Sequence, residues 1–294
     1  MHKFLYFFLL TSSFAQIVSD YAYTGAEASA MAGAVVAEKG NNWSIFHNPA
    51  GIAEIDEVRF SAGGGKIYGY NWLPAYHLSV IVPTSVFGHV GFGLKKFETK
   101  YEGITLSREQ TISIAHGFNL QKDKNSHLAM GYTANFVQWD LGKSAGLSGN
   151  GSDGLELGSA YTTTVDIGIL ASLRKKYRLG VFITNVNSGA IGKGITRQIL
   201  PRRINMGITY NPISNLATSI TTERLLGRDD LQVKGAIRYR LNPYLEICTG
   251  AQSKPNKFGI GTIFTLNSQS VSYGLLTHPV MPMTHQFNLS ISLD

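Results

Sequence analysis

From residue 57 onward the chain alternates between apolar and polar side chains in segments longer than the strands of an ordinary sheet. The last segment is the cleanest: Phe287, Leu289, Ile291 and Leu293 alternate with Gln286, Asn288, Ser290 and Ser292. Ile204, Met206, Ile208 and Tyr210 alternate with Arg203, Asn205, Gly207 and Thr209. Leu231, Val233, Ile237, Tyr239 and Leu241 alternate with Gln232, Lys234, Arg238 and Arg240. Successive side chains of a strand point to opposite faces, so a period of two predicts strands with one apolar and one polar face. About 14 such segments can be delimited: 57–64, 75–83, 86–97, 105–119, 125–141, 158–174, 176–187, 201–212, 214–225, 229–241, 243–253, 256–267, 269–278 and 283–293. Soluble strands usually have about 5–6 residues, whereas a tilted strand crossing a bilayer needs about 9–11. No helical pattern interrupts the series, which argues against crossover helices and parallel sheets.

Composition agrees. The 294 residues include 32 Gly, 14 Tyr and 15 Phe but only 15% charged residues, a balance that excludes disorder and suits a closed β structure. No apolar run approaches the roughly 18 residues of a membrane helix. The single cysteine, Cys248, excludes a disulfide framework. The connections between segments alternate in length. Pro83-Thr84-Ser85, Arg174-Lys175-Lys176, Asn211-Pro212-Ile213, Leu241-Asn242-Pro243 and Asn267-Ser268-Gln269 are short, whereas 65–74, 98–104, 142–157 and 188–200 are longer. Outer-membrane barrels have short periplasmic turns and long outer loops, and an even strand number puts both ends on the short-turn side. The expectation is an all-β transmembrane antiparallel barrel of about 14 strands in a Gram-negative-type outer membrane, with both mature termini periplasmic. Aromatic residues near segment ends (Trp72, Tyr76, Phe87, Trp139, Tyr161, Tyr177, Tyr210, Tyr239, Tyr244, Phe258, Tyr273) are candidates for its interfacial girdles.

The N-terminus has a different character. Lys3, the apolar residues 4–10 and Ser13-Phe14-Ala15 form the three parts of a secretory signal peptide, with cleavage expected after Ala15. Its removal lowers the formal charge from +7 to +6. The remaining Lys and Arg residues are scattered, so nucleic acid is not an expected partner. Residues 24–56 are rich in Ala and Gly and lack alternation. Residues 28–36 suit a short helix of small residues, and Asn48-Pro49-Ala50-Gly51 is a turn signal. A compact small-residue segment ahead of the first strand suits a plug inside the barrel. The expected organisation is therefore signal peptide 1–15, N-terminal plug 16–56 and barrel 57–294.

Residues that carry chemistry are few. Gly142-Lys143-Ser144-Ala145-Gly146 matches the pattern of a nucleophile elbow, but that motif needs a helix after it, and here a flexible Gly- and Ser-rich stretch follows. Residues 148–155 approximate one calcium-binding nonapeptide turn, and such sites require stacked repeats. The eight histidines show no metal-ligand spacing. No catalytic residue, metal site or cofactor is expected. Gly91-x-Gly93 and Gly259-x-Gly261 read as small residues on the polar face of strands. The polar face of 229–241 is more distinctive. Lys234, Arg238 and Arg240 would project into the lumen, and Glu246 of the next segment should oppose Arg238 or Arg240. Such a cluster reads as an ion-pair ladder filling the barrel, as a path for anionic solutes, or as a docking site for the plug, with Glu27, Glu38, Glu54 and Asp56 as partners.

Two motifs carry a family resemblance. Gly25-Ala26-x-Ala28, Met31-Ala32-Gly33-Ala34 and Asn48-Pro49-Ala50-Gly51-Ile52-Ala53 resemble the N-terminal hatch of FadL-like outer-membrane proteins. Gly25, Gly33, Asn48, Pro49 and Gly51 are the motif positions. Ser272-Tyr273-Gly274, His278-Pro279 and Thr284-His285-Gln286-Phe287 resemble the last hairpin of the PorV/PorQ branch associated with type IX secretion. That resemblance implies a 14-stranded barrel with an internal plug and no enzymatic activity. It also implies a carrier that binds exported cargo with C-terminal signal domains, or secretion-machinery partners, in outer-membrane lipid. The alternative within the same superfamily is a FadL-type transporter with a hydrophobic small-molecule ligand. The outer loops look short for a cargo-gripping surface.

Overall fold

The structure is a computed structural model that describes residues 23–84, 88–144, 146–149, 152–192, 197–227, 229 and 231–293. The expected signal peptide, Phe87 and Ala145 lie outside the described residues. The first half of the barrel comprises β1 (Val58–Lys66), β2 (Pro74–Thr84), β3 (Gly88–Tyr101), β4 (Ile104–Lys122), β5 (Ser126–Asp140), β6 (Ser159–Leu173) and β7 (Tyr177–Thr184). A two-stranded hairpin follows, β8 (Ala190–Ile191) and β9 (Gln198–Ile199). The second half comprises β10 (Arg203–Ile213), β11 (Leu216–Leu225), β12 (Leu231–Asn242), β13 (Leu245–Gln252), β14 (Lys257–Leu266), β15 (Gln269–Leu276) and β16 (Thr284–Leu293). Among the described residues these fourteen strands form one closed antiparallel barrel, in which β7 pairs with β10 and β1 closes on β16.

Each of the fourteen expected segments holds one barrel strand. The connections differ in two places. The expected loop 98–104 is a tight turn, because β3 and β4 run on to Tyr101 and Ile104. Glu102 (φ 46°) and Gly103 (φ 84°) both take positive φ, the backbone of a two-residue hairpin turn that matches strand twist. The expected loop 188–200 contains the β8–β9 hairpin. Strands β3 to β6 are 14–19 residues long and β1, β2, β7 and β10 to β16 are 8–12. The shorter strands match the apolar band of an outer-membrane barrel, about 25 Å tall.

The outer face is apolar and exposed: Phe60, Leu78, Phe92, Ile114, Phe136, Ile169, Ile208, Ile220, Ile237, Ile260 and Phe287 all point outward. This is the surface of a barrel immersed in lipid, since a soluble chain rarely leaves so continuous an apolar band open to water. Tyr177 and Tyr210 stack at 5.1 Å near the short-turn rim, and Trp72, Tyr76, Tyr161 and Tyr273 are exposed near the other. Trp139 does not belong to a girdle. It points inward, donates to Ser107 Oγ at 3.1 Å and packs against the β8–β9 hairpin.

Residues 23–55 lie inside the barrel. They form α1 (Ala26–Ala30), α2 (Ser44–His47) and a 3-10 turn, Pro49–Glu54. The helix is shorter than the 28–36 expectation because Ala32 (φ 47°) and Gly33 (φ 79°) turn the chain into the left-handed region. Inward-facing glycines make room for this inner segment. A Cβ at Gly131 of β5 would overlap the Pro49 carbonyl, one at Gly180 of β7 the Val36 carbonyl, and one at Gly259 of β14 the Ser29 and Ala30 carbonyls. Backbone thus packs on backbone. The larger side chains fill what remains: Ile45, Ile52 and Ile55 cluster with Ile81 of β2 and Ala115 of β4, and each fully buried Ile contributes about 1.5–3 kcal/mol.

Gly131→Val and Gly259→Val should each cost about 1–3 kcal/mol through overpacking and expose residues 23–55 to protease, while the strands still pair. Gly235→Val should do neither, because its nearest neighbour is Ser219 O at 3.9 Å. Heat-modifiability on gels, with limited proteolysis, checks both outcomes.

Candidate functional site

The inner segment divides the lumen. On its short-turn side lies a polar cavity of about 470 Å³, and on its long-loop side lie cavities of about 180 and 100 Å³.

The cluster expected on β12 and β13 splits between these sides. Arg240 and Glu246 face each other in register, and Arg240 Nε donates to Glu246 Oε1 at 2.7 Å. Arg238 bridges Glu246 Oε2 at 3.5 Å and Glu38 Oε2 of the inner segment at 3.4 Å. It also donates to the Met31 sulfur at 3.4 Å. Arg238 thus ties the wall to the inner segment, and Arg240 serves the wall alone. Lys234 stands apart, on the long-loop side, where its ammonium meets Glu223 of β11 at 2.7 Å. The other acidic residues go elsewhere. Glu54 pairs with Arg178 of β7, accepts from Gly40 N at 2.8 Å and faces His127 of β5 at 3.3 Å. Asp56 reaches only the exposed Lys122, at 4.0 Å. Arg178 was not legible in the sequence, because Tyr177–Thr184 gives no sign of which inward position meets the inner segment.

The hatch-like motif positions hold the inner segment's own turns. Gly25 (φ 99°) lies against the Trp43 ring, and Gly33 lies against the Tyr23 ring. Asn48 Nδ2 donates to Val36 O at 2.8 Å and to Ile169 O of β6 at 3.1 Å, while its Oδ1 accepts from Ala50 N at 3.2 Å. One buried amide thus caps the 3-10 turn and ties it to the wall. Pro49 opens that turn, and Gly51 lets its backbone meet Gly40. At the C-terminal hairpin the two histidines have different tyrosine partners. His278 meets Tyr68 edge-on at 5.0 Å, and its Nδ1 accepts from Met281 N at 3.0 Å. Partial burial, then Lys257, push its imidazole below the ordinary range, consistent with a neutral acceptor. His285 bonds Tyr273 OH at 2.6 Å on the outer face. Pro279 lies in the loop between β15 and β16, and Thr284 Oγ1 accepts from Tyr68 N at 2.9 Å. These contacts stitch the last loop to the loop after β1.

The described residues of the loop between β5 and β6 are held by backbone and carboxylate hydrogen bonds. Lys143 bridges Glu156 in a short ladder. The Asp153 carboxylate accepts from Ser148 Oγ and from the Ser148 and Leu147 amides, which hold it below the usual carboxylate range. Among the described residues no three His, Cys, Asp or Glu side chains are placed to share a metal ion.

The 180 Å³ cavity has mixed walls. Phe46 and Val36 of the inner segment, Val137 of β5 and Phe182 of β7 supply apolar surface. Leu200, beside β9, completes it where the β8–β9 hairpin folds inward, with Ile191 and Leu200 buried against Val137, Trp139 and Ala160. Asp166 of β6 accepts from Asn135 Nδ2 and from Asn185 N, both at 2.7 Å. Lys95 of β3 lies 5.1 Å from the centroid of the Phe46 ring.

Comparison with known proteins bears on this geometry. No protein-family model matches the sequence, and no curated protein matches it. Solved structures do. CymD, described as a monoaromatic hydrocarbon channel, superimposes with a TM-score of 0.62 at 12% identity, over 93% of this chain and 97% of that one. The Ralstonia pickettii toluene transporter TbuX gives 0.62 at 14% identity, over 94% and 98%. A Pseudomonas aeruginosa FadL homologue gives 0.55 at 10% identity, over 92% and 98%. The fold is that of the FadL-like barrels. Two of these neighbours are described as a monoaromatic hydrocarbon channel and a toluene transporter.

Removing one partner of a buried ion pair strands the other. Arg178→Met should therefore destabilise the inner segment by about 3–5 kcal/mol. The Arg178→Met/Glu54→Gln double variant should recover part of that loss. A double-mutant cycle on thermal stability in detergent, read against protease access to residues 23–55, measures the coupling.

Proposed function

We propose that this chain is an outer-membrane channel for hydrophobic small molecules, embedded in outer-membrane lipid with its long loops outward and its short turns in the periplasm. The observation that carries the reading is the combination of a closed barrel, an inner segment filling its middle, and a partly apolar cavity between that segment and an inturned outer hairpin. The FadL-like fold supports it, since two of its solved neighbours are described as hydrocarbon channels or transporters. A solute entering from outside meets the cavity first and the inner segment second. Passage then requires the inner segment to shift, and the contacts through Glu38, Asn48 and Glu54 resist that shift.

The same observation favours a solute channel over the secretion carrier implied by the PorV/PorQ resemblance. Among the described residues at the β8–β9 hairpin, Ile191 and Leu200 pack inward against Val137, Trp139 and Ala160.

Cells expressing the protein should take up radiolabelled toluene several-fold faster than cells carrying an empty vector. Gentle detergent extraction should yield the barrel without a stoichiometric protein partner. Unchanged uptake would overturn the channel reading. Co-purification of an exported protein in equal amount would support the secretion carrier instead.

A further inference from the structure

The long-loop cavity carries a net charge. Lys95, Arg203 and Lys234 line it against Asp166 and Glu223, leaving one positive charge in excess. The pairing identifies which one. Lys234 meets Glu223 at 2.7 Å, and Arg203 lies 3.7 Å from the same carboxylate. Asp166 is held by Asn135 and Asn185. Lys95 faces the Phe46 ring and has no carboxylate within ion-pair distance among the described residues. Asp166, and Glu109 in the 100 Å³ cavity next to it, act on Lys95 only at longer range. A half-buried ammonium without a counter-ion is costly unless something supplies one.

Size limits what can supply it. An apolar cavity of about 150 Å³ holds one benzene, and one water occupies about 30 Å³ of liquid. The cavity of about 180 Å³ therefore matches one aromatic ring bearing one small charged group. Its Phe46 and Phe182 walls suit the ring, and Lys95 suits a carboxylate through a charge-assisted hydrogen bond.

We infer that this cavity is a binding site for a small aromatic monocarboxylate, with the ring against Phe46 and Phe182 and the carboxylate on Lys95 Nζ. The inference rests on the channel reading above and names the solute class that the outer half of the lumen selects. A purely apolar solute fits the ring part of the cavity but gains nothing from Lys95.

The test uses the purified full-length protein in detergent, titrated calorimetrically with benzoate, benzamide, benzylammonium and dodecanoate. Benzoate should bind saturably, at least about ten-fold more tightly than neutral benzamide, as a charged hydrogen bond requires. Benzylammonium and dodecanoate should neither bind nor compete. Lys95→Met should remove the preference for benzoate over benzamide, and Lys95→Arg should keep it. Equal binding of benzoate and benzamide by the unaltered protein would overturn the inference without need of a variant. So would dodecanoate competition, or a preference that survives in Lys95→Met. Toluene uptake by the same cells separates the two readings. Uptake without benzoate binding sinks this inference and leaves the channel standing, whereas loss of both sinks the channel as well.

Discussion

Closure of the barrel is the constraint on which the rest of the structure depends. In lipid every backbone N–H and C=O needs an internal partner, and an open sheet edge would leave a row of them unsatisfied at several kcal/mol each. Pairing of β1 with β16 from Val58–Leu293 to Lys66–His285 removes that edge. Once the sheet is closed, period-two alternation has only one consistent assignment, with the apolar face in lipid and the small and polar face in the lumen. The Ser, Thr, Asn and charged groups of the lumen then need partners, which water or the chain itself can supply.

The inner segment fills it in an economical way. Glycines on many strands bring wall backbone against inner-segment backbone, so no side chains need to interlock across that contact. Specificity comes from a few directional groups. Asn48 is both a cap for its own turn and a tie to β6. Glu54 accepts from Gly40 and meets Arg178, and Glu38 meets Arg238. These pairs lie toward the short-turn rim. The long-loop half keeps a cavity, an inturned hairpin and an ammonium facing an aromatic ring. This asymmetry leaves an accessible, partly apolar outer cavity above an inner segment tied to the wall.

The strands were legible because alternation is a local property and burial on one face enforces it. About 14 segments are legible in the sequence, and among the described residues each holds one barrel strand, with boundaries shifted by a few residues. The misreadings have local causes. Loop 98–104 is a tight turn because β3 and β4 continue past the membrane band, where period-two patterning relaxes. Trp139 points inward because it shares the face of β5 that carries Thr133 and Asn135, and the β8–β9 hairpin gives it an apolar cover that its strand-end position does not reveal. The lumen-facing glycines read only as small residues, since a missing side chain does not announce what will occupy its space.

Sequence alone therefore determined the barrel, its strand number, the lumenal placement of Lys234, Arg238, Arg240 and Glu246, and the separate character of residues 24–56. All of these follow from short-range periodicity and composition. Only the tertiary structure decided which charges meet. Lys234 parted from Arg238 and Arg240, although all three lie on one face of one strand, because the inner segment separates them. Arg178 meets Glu54, 124 positions away, and Lys95 faces the ring of Phe46 from another part of the chain. Ion pairs and cavities depend on long-range register and on how the chain folds back into its own barrel, which no local pattern encodes.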